Sequence, residues 1–526
     1  VKMRNQWLVL PVVAGLASGL LTGCGAGSGD SGGTGSSVVM GMSDDVLATD
    51  PASGYDPGSW LLFNNVFQSL LSFPNGGTEP EPEAAESCDF TDASTKVYKC
   101  TLRDGLKFSN GDKLTSEDVK FSFDRLLKIN DAAGPAIMFP MLEKVEAPDE
   151  KTVVFRLKVP DATFPSKIAS GAGSIVDHTQ YDGGKLRKDG KAIGSGPYKL
   201  DSFDKAKAVF SVNDKYKGTA KVKNSGVTLK FFHGNQSALK KALQDDKVDI
   251  AYRGLTAKDV ADLQNANNDS KVEVVEGSSA EVQHLVFNMK DPVAGKIGVR
   301  KAIAYLLDRD ALIKDVYQGT ATPLYSIIPA GIAGHNTAFF DTYGASPSPA
   351  KAAGALKADG ITGKVKLTLW STPSRYGPAT DEELKAIAKQ LNDSGLFEAD
   401  VKSVAFDQYE KDIAKGKYGV YVKGWVPDYP DADNFTAPFF GKGNVLSNNY
   451  SNNMITGTLI PRTAAQSDRS ATDNDYGRLQ DIVADQLPVL PVWQAKQYAV
   501  TRENVYGLEY CLDASTVFRF WELSKD

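Results

Sequence analysis

Val365-Lys366-Leu367-Thr368-Leu369-Trp370 alternates apolar and polar side chains, the period of a strand with one face on a core. Thr380 and Glu383 stand three apart, the spacing of a capping box at a helix start. Leu384, Ile387, Ala388 and Leu391 then recur on one helical face, and Gly395 stands where a left-handed residue closes a helix. Phe397 to Val404 reads as the next strand. Tyr418 to Trp425, rich in β-branched and aromatic residues, reads as a third. Strand, helix and strand in this order make a βαβ unit and so a parallel pairing. Trp425 falls at the carboxyl end of its strand, the side on which open α/β sheets bind ligands.

The same alternation of elements extends outward. Thr115 caps a helix that packs Val119, Phe123 and Leu126, and Thr256 caps one that packs Val260 and Leu263. Val299, Ile303, Leu306 and Leu307 line a third helix, which Asp308-Arg309-Asp310 breaks before the next begins. Thr152 to Leu157, Val227 to Phe232 and Asp249 to Tyr252 have strand character. The chain is therefore α/β. Its 526 residues suit two or three domains, and 42% hydrophobic with 24% charged residues is the balance of a globular protein. A net charge of -6 argues against nucleic acid as a partner, since phosphate binding wants a basic face. The histidines His178, His233, His284 and His335 lie far apart with no metal-ligand spacing, so neither a metal nor a cofactor is expected.

Residues 1–24 have their own character. Lys2 and Arg4 precede an uncharged run from Gln6 to Gly23, the pattern of a secretory signal peptide. Val1 fits a GTG start read literally, with Met3 as the alternative start. Leu21-Thr22-Gly23-Cys24 resembles the bacterial lipobox, which implies cleavage before Cys24 and a lipid on its thiol. Residues 24–37 are almost all small and polar and cannot bury a core, so they read as a flexible tether. Loss of Lys2 and Arg4 with the signal takes the charge from -6 to about -8. Cys88 and Cys100 flank a short loop of a chain headed for an oxidising compartment, where a disulfide is worth about 3 kcal/mol. Cys511 is left over, as a small buried apolar residue.

Five further stretches carry a resemblance. They are Val97-Tyr98-Lys99-Cys100-Thr101-Leu102-Arg103-Asp104-Gly105-Leu106-Lys107-Phe108-Ser109-Asn110-Gly111 with Leu114 to Val119, then Gly194-Ser195-Gly196-Pro197-Tyr198, then Phe287-Asn288 with Val299-Arg300-Lys301-Ala302-Ile303 and Leu307-Asp308-Arg309. Gly424-Trp425-Val426-Pro427-Asp428-Tyr429-Pro430-Asp431 and Leu487-Pro488-Val489-Leu490-Pro491-Val492 complete the set. In this order they resemble the extracellular solute-binding proteins of family 5, the oligopeptide- and dipeptide-binding lipoproteins of ATP-binding-cassette (ABC) importers. The resemblance implies a two-lobed periplasmic-binding-protein-like fold (type II, cluster C) with an extra domain in the first lobe. Lobe one would combine residues 38–70, 193–284 and 491–526, the extra domain 71–192, and lobe two 285–490.

It also implies a role. The chain would capture a peptide, or another small solute, outside the cytoplasm. It would deliver that cargo to an ABC permease with its ATP-binding subunits, as a monomer held to the membrane by lipid. Asp428 would pair with the α-amino group of the peptide and Trp425 would wall a side-chain pocket. Tyr55 and Asp50-Pro51 stand in an entry loop as weaker contacts, and Tyr198 as a packing residue. Asn434 is left without a role, and Lys423 stands near a place where some peptide binders carry Arg. Sugar, nickel complexes, opines and signalling peptides are alternative cargoes, because a fold does not fix its ligand. A lipid-anchored hydrolase is disfavoured. His-Glu-x-x-His is absent, and the pair Glu382-Glu383 sits in a helix's first turn, where the macrodipole accounts for it.

Overall fold

The computed structural model describes residues 35–266, 271–373, 375–377 and 379–526. The signal segment, Cys24 and most of the tether lie outside the described residues. Among the described residues no helix is long and apolar enough to cross a membrane.

One mixed sheet organises the body. Its strands run in the order Phe397–Ser403, Val365–Ser371, Val420–Trp425, Val272–Phe287, Val489–Arg502, Ile250–Tyr252, Val38–Met42, Gly226–Phe231, Lys207–Val212 and Tyr198–Phe203. Val365–Ser371 runs parallel to both Phe397–Ser403 and Val420–Trp425, as a βαβ connection requires. The helix between them spans Thr380–Asp393, buries Leu384, Ile387, Ala388 and Leu391, and is followed by Gly395 at φ 74°. A second sheet pairs Ala85–Phe90, Val97–Leu102, Thr152–Leu157 and Leu142–Glu146. Cys88 lies directly opposite Cys100 in its first hairpin, and the two form a disulfide.

Apolar residues gather into two large cores. One joins residues from Val38 to Tyr252 with Ala499 and the carboxyl-terminal stretch to Leu523. The other runs from Ala280 to Trp493. A small cluster of Leu239, Leu243, Val248, Ala251 and Val500 flanks the first. The two long strands, Val272–Phe287 and Val489–Arg502, run antiparallel from one core to the other. Their pairing breaks between Ser278 and Val282, where Ser279, Ala280 and Glu281 face Ala495 alone. A bulge leaves residues off the ladder and bends the strand, and this one lies where the two strands pass between the cores.

Two local readings are corrected here. Thr380 is the first helical residue and Ala379 precedes it as the cap, so no capping box forms. The Thr380 hydroxyl donates to the Tyr376 and Gly377 carbonyls instead. Glu383 does not turn back to the helix start or serve the macrodipole. It points inward and is fully buried, because three donors from other elements hold it there. At the other helices, Asp259 N–H donates to Thr256 Oγ1, Asp118 accepts from the Thr115 N–H, and Asp308 accepts from the Ala311 N–H. Cys511 is buried.

Candidate functional site

Val420–Trp425 ends at the seam between the lobes, and the chain after it crosses. Tyr429, four residues past the strand's end, packs into the first core, whereas the strand itself belongs to the second. The Ala162 N–H donates to the Ala464 carbonyl across the same seam at 2.7 Å.

Asn434 is the hub of this stretch. Its Oδ1 accepts from Trp425 Nε1 at 2.8 Å and from the Asp428 N–H at 3.0 Å, and its Nδ2 donates to Asp428 Oδ2 at 3.2 Å. The residue is 1% exposed and sits in the short helical turn Ala432–Phe435. Asp431 caps that turn by accepting from the Asp433 N–H. Arg469 grips Asp431 with two parallel bonds of 2.8 and 2.7 Å, a fork that fixes orientation as well as distance. The turn residues Pro427 to Pro430 therefore carry Asp428 on a braced frame.

Tyr55 completes the site from the first lobe. Its hydroxyl donates to Asp428 Oδ1 at 2.7 Å across 373 residues of chain. The structure thus brings Tyr55, Asp428 and Trp425 into one hydrogen-bonded network. Both Asp428 oxygens carry a donor from the protein, and each retains a lone pair for another. Burial pushes the Asp428 carboxyl up, while Tyr55, Asn434 and the charge of Lys167 pull it down. Burial and the Asp428 charge together push the Tyr55 hydroxyl well above its usual range. Trp425 is half-buried and meets Phe439 edge-on at 5.2 Å between centroids.

Lys167 approaches from the first core's side. It pairs with Asp161 at 2.7 Å and stands 5.9 Å from the Tyr429 ring centre. Tyr429 donates to Asp433, whose carboxyl is lifted to about 6 by burial against the pull of Lys167. Opposite charges thus face one another across the seam.

Other expected residues lie elsewhere. Asp50 is corrected from a possible ligand contact to a structural ion. It is buried and bound by Arg125 through 2.8 and 2.6 Å bonds. Tyr198 is buried and donates to Asn224. Lys423 is held by Glu410 at 2.6 and 2.8 Å. Arg375, beside Tyr376, lies over the Phe406 ring at 5.3 Å and makes no ion pair among the described residues. Cys88 and Cys100 belong to the separate small sheet. His178 Nδ1 lies 2.7 Å from Asp118 Oδ1, next to Asp177. Asp118, in the first turn of the helix Ser116–Ile129, holds His178 of a later loop to that helix.

Sequence reasoning passed over Asn434. Its signal was the spacing from Trp425 and Asp428 to a small amide inside an Asp-capped turn. An Asn there is also ordinary turn chemistry, so only the folded chain shows what it holds.

The chain matches the family described as bacterial extracellular solute-binding proteins, family 5 (middle part), over residues 79–447. It is 28% identical over 502 residues to a probable D,D-dipeptide-binding periplasmic protein of Escherichia coli K12, covering 93% of this chain and 94% of the other. Heme-binding protein A of Haemophilus influenzae is 26% identical over 472 residues, covering 84% of each. The solved ABC transporter-associated periplasmic binding protein DppA of Helicobacter pylori, in complex with the peptide STSA, superposes with a TM-score of 0.76. That match has 23% identity and covers 93% of this chain and 98% of the other. The two-lobed α/β architecture and the match over most of its length place this chain among the bacterial extracellular solute-binding proteins of family 5.

Proposed function

We infer that this protein captures peptides between its lobes outside the cytoplasm and delivers them to an ABC import permease. The observation that carries this reading is the seam network of Tyr55, Asp428, Asn434 and Trp425, which presents a braced carboxylate and an aromatic wall where the lobes meet. The dipeptide-binding name of the Escherichia coli relative supports it.

The chemistry follows from what all peptides share. Backbone amides give general affinity by strand-like hydrogen bonding, and waters fill side-chain space that a given peptide leaves unused. Asp428 takes the α-ammonium group. A charge-assisted bond of this kind is roughly twice as strong as a neutral one. Closure excludes water and strengthens the pair, while desolvation offsets part of the gain. Trp425 offers a broad flat surface at little cost in rotamer entropy. Arg375, which makes no ion pair among the described residues, is a candidate cation for the other end of the peptide. The lobes divide at 70/71, 192/193, 284/285 and 490/491, with 71–192 as the extra domain.

Asp428→Ala tests the site by calorimetry with peptides that have a free amino terminus. Affinity falls while the fold, followed by circular dichroism, is kept. Unchanged affinity removes Asp428 from the site, and wild-type protein that binds no peptide moves the reading to another solute. Cys24 carries the lipid that tethers the protein in this account. Cys24→Ser releases the protein from membranes and abolishes incorporation of labelled palmitate.

A further inference from the structure

Beneath the seam, on the other face of the same strands, lies a second carboxylate, Glu383. Gln283 of Val272–Phe287 is paired in register with Gly424, so the two residues share a sheet face. Val282 and Trp425, one step along, share the opposite one. Gln283 Nε2 donates to Glu383 Oε2. Tyr317 donates to the same oxygen at 2.5 Å and Trp493 Nε1 at 3.2 Å. Three donors thus crowd one oxygen. Glu383 Oε1 and Gln283 Oε1 are both buried with no hydrogen-bond partner, in residues that are 0% exposed.

Two buried acceptors without a partner in one contact pair are costly and call for an explanation. No cation balances them: among the described residues Glu383 makes no ion pair, and Lys423, one residue before Gly424, is taken by Glu410. Burial lifts the Glu383 carboxyl to about 7, against the pull of its three donors. At neutral pH the group is therefore poised to release a proton when a positive charge arrives.

Gly424 lies over this pair. A Cβ built on Gly424 would lie 3.6 Å from Gln283 Oε1 and 2.8 Å from Tyr376 Cδ1. The residue type at 424 keeps this volume free of its own side chain, and the Tyr376 ring fills it. Thr372, just beyond the end of Val365–Ser371, buries a hydroxyl that also lacks a partner. This is the carboxyl end of two parallel strands, next to the residue that walls the seam.

We propose that Gln283 and Glu383 form the floor of a subsite, covered by the Tyr376 ring over Gly424, that accepts a cationic side chain of the bound peptide, the ammonium of Lys or the guanidinium of Arg. Movement of the Tyr376 ring admits the side chain, whose N–H groups then satisfy the two orphaned oxygens. The proposal rests on the peptide-binding reading and names a preference within it. It differs from the Asp428 contact, which serves the α-amino group common to all peptides.

The test is calorimetry at pH 7 on the full chain, with di- and tripeptides that carry one Lys or Arg or, in its place, norleucine. Wild-type protein binds the cationic members about tenfold or more tighter than the norleucine ones. Glu383→Gln keeps the shape and still accepts the Tyr317 and Trp493 bonds. In this variant the preference falls to about twofold or less, while the norleucine peptides bind as before. Gln283→Met removes the second acceptor and gives a partial loss, which keeps the proposal testable if the first variant folds poorly. Equal wild-type affinity for Lys, Arg and norleucine peptides overturns the subsite and leaves peptide capture standing. A preference that survives Glu383→Gln assigns the charge recognition elsewhere and also overturns it. Failure of every peptide to bind removes the peptide reading and this one with it.

Discussion

Two carboxylates flank the Gly424-Trp425 stretch, and they are held in opposite ways. Asp428 sits half-buried at the seam with one protein donor on each oxygen, and one of these comes from the other lobe. Glu383 is buried beside the second core with three donors on one oxygen and none on the other. The first arrangement joins the two cores, because Tyr55 packs on the first and Asp428 follows a strand of the second. The second draws its donors from Gln283, Tyr317 and Trp493, of which Tyr317 and Trp493 belong to the second core. A carboxylate's role is set by where its donors come from, more than by its depth.

The largest expected effect falls on the seam. Asp428→Ala should weaken peptide binding by about 2–5 kcal/mol, the usual penalty for truncating one partner of a buried charge pair. Melting of the unliganded protein should move much less. Equal losses in binding and in stability would erase the distinction between the two acids.

Glu383 should show itself through pH. Its folded-state pKa is raised from 4.5 to about 7 by burial. The folded protein therefore holds this proton more tightly than the unfolded chain does. The resulting stability is complete below about pH 4.5 and is lost as pH rises through about 7. The shift corresponds to about 3 kcal/mol. Glu383→Gln should abolish this loss, so the stability difference between variant and wild type should change by that amount between pH 4 and 8 (range chosen to bracket both values). Parallel pH profiles in urea unfolding would show that Glu383 does not titrate in this window. Asp433, lifted to about 6, adds a slope of the same sign that both proteins share.

Asn434→Ala sharpens the comparison from the side of the frame. It removes the acceptor of Trp425 Nε1 and the Asp428 N–H, at a cost of about 1–3 kcal/mol. Binding should fall with stability here, because the frame serves both. Tyr55→Phe should have the smallest effect, about 1 kcal/mol on closure, since the bond it removes exchanges with water when the lobes part. Small-angle scattering of the unliganded protein should show a shift toward open forms, with the melting temperature nearly unchanged.

Much of the frame was legible beforehand. The strand Val365–Ser371, the helix after it and the strand ending at Trp425 announce themselves by period, since alternation and the i, i+3, i+4 repeat are imposed by local geometry. Motif order was enough to suggest Asp428 and Trp425 as neighbours in one site. Glu383 shows where local reading fails. Three residues after a Thr at a helix start it has every mark of a cap, yet tertiary donors win it for the interior.

The amino-acid order by itself determined the elements, their α/β alternation and the segment that reaches the seam, because those depend on neighbours within a few residues. The fold alone decided that Tyr55 meets Asp428 across 373 residues, that Asn434 holds the site together and that Glu383 faces Gln283. Such pairs carry no local signature. They exist only after two cores have formed and two long strands have set the lobes against each other.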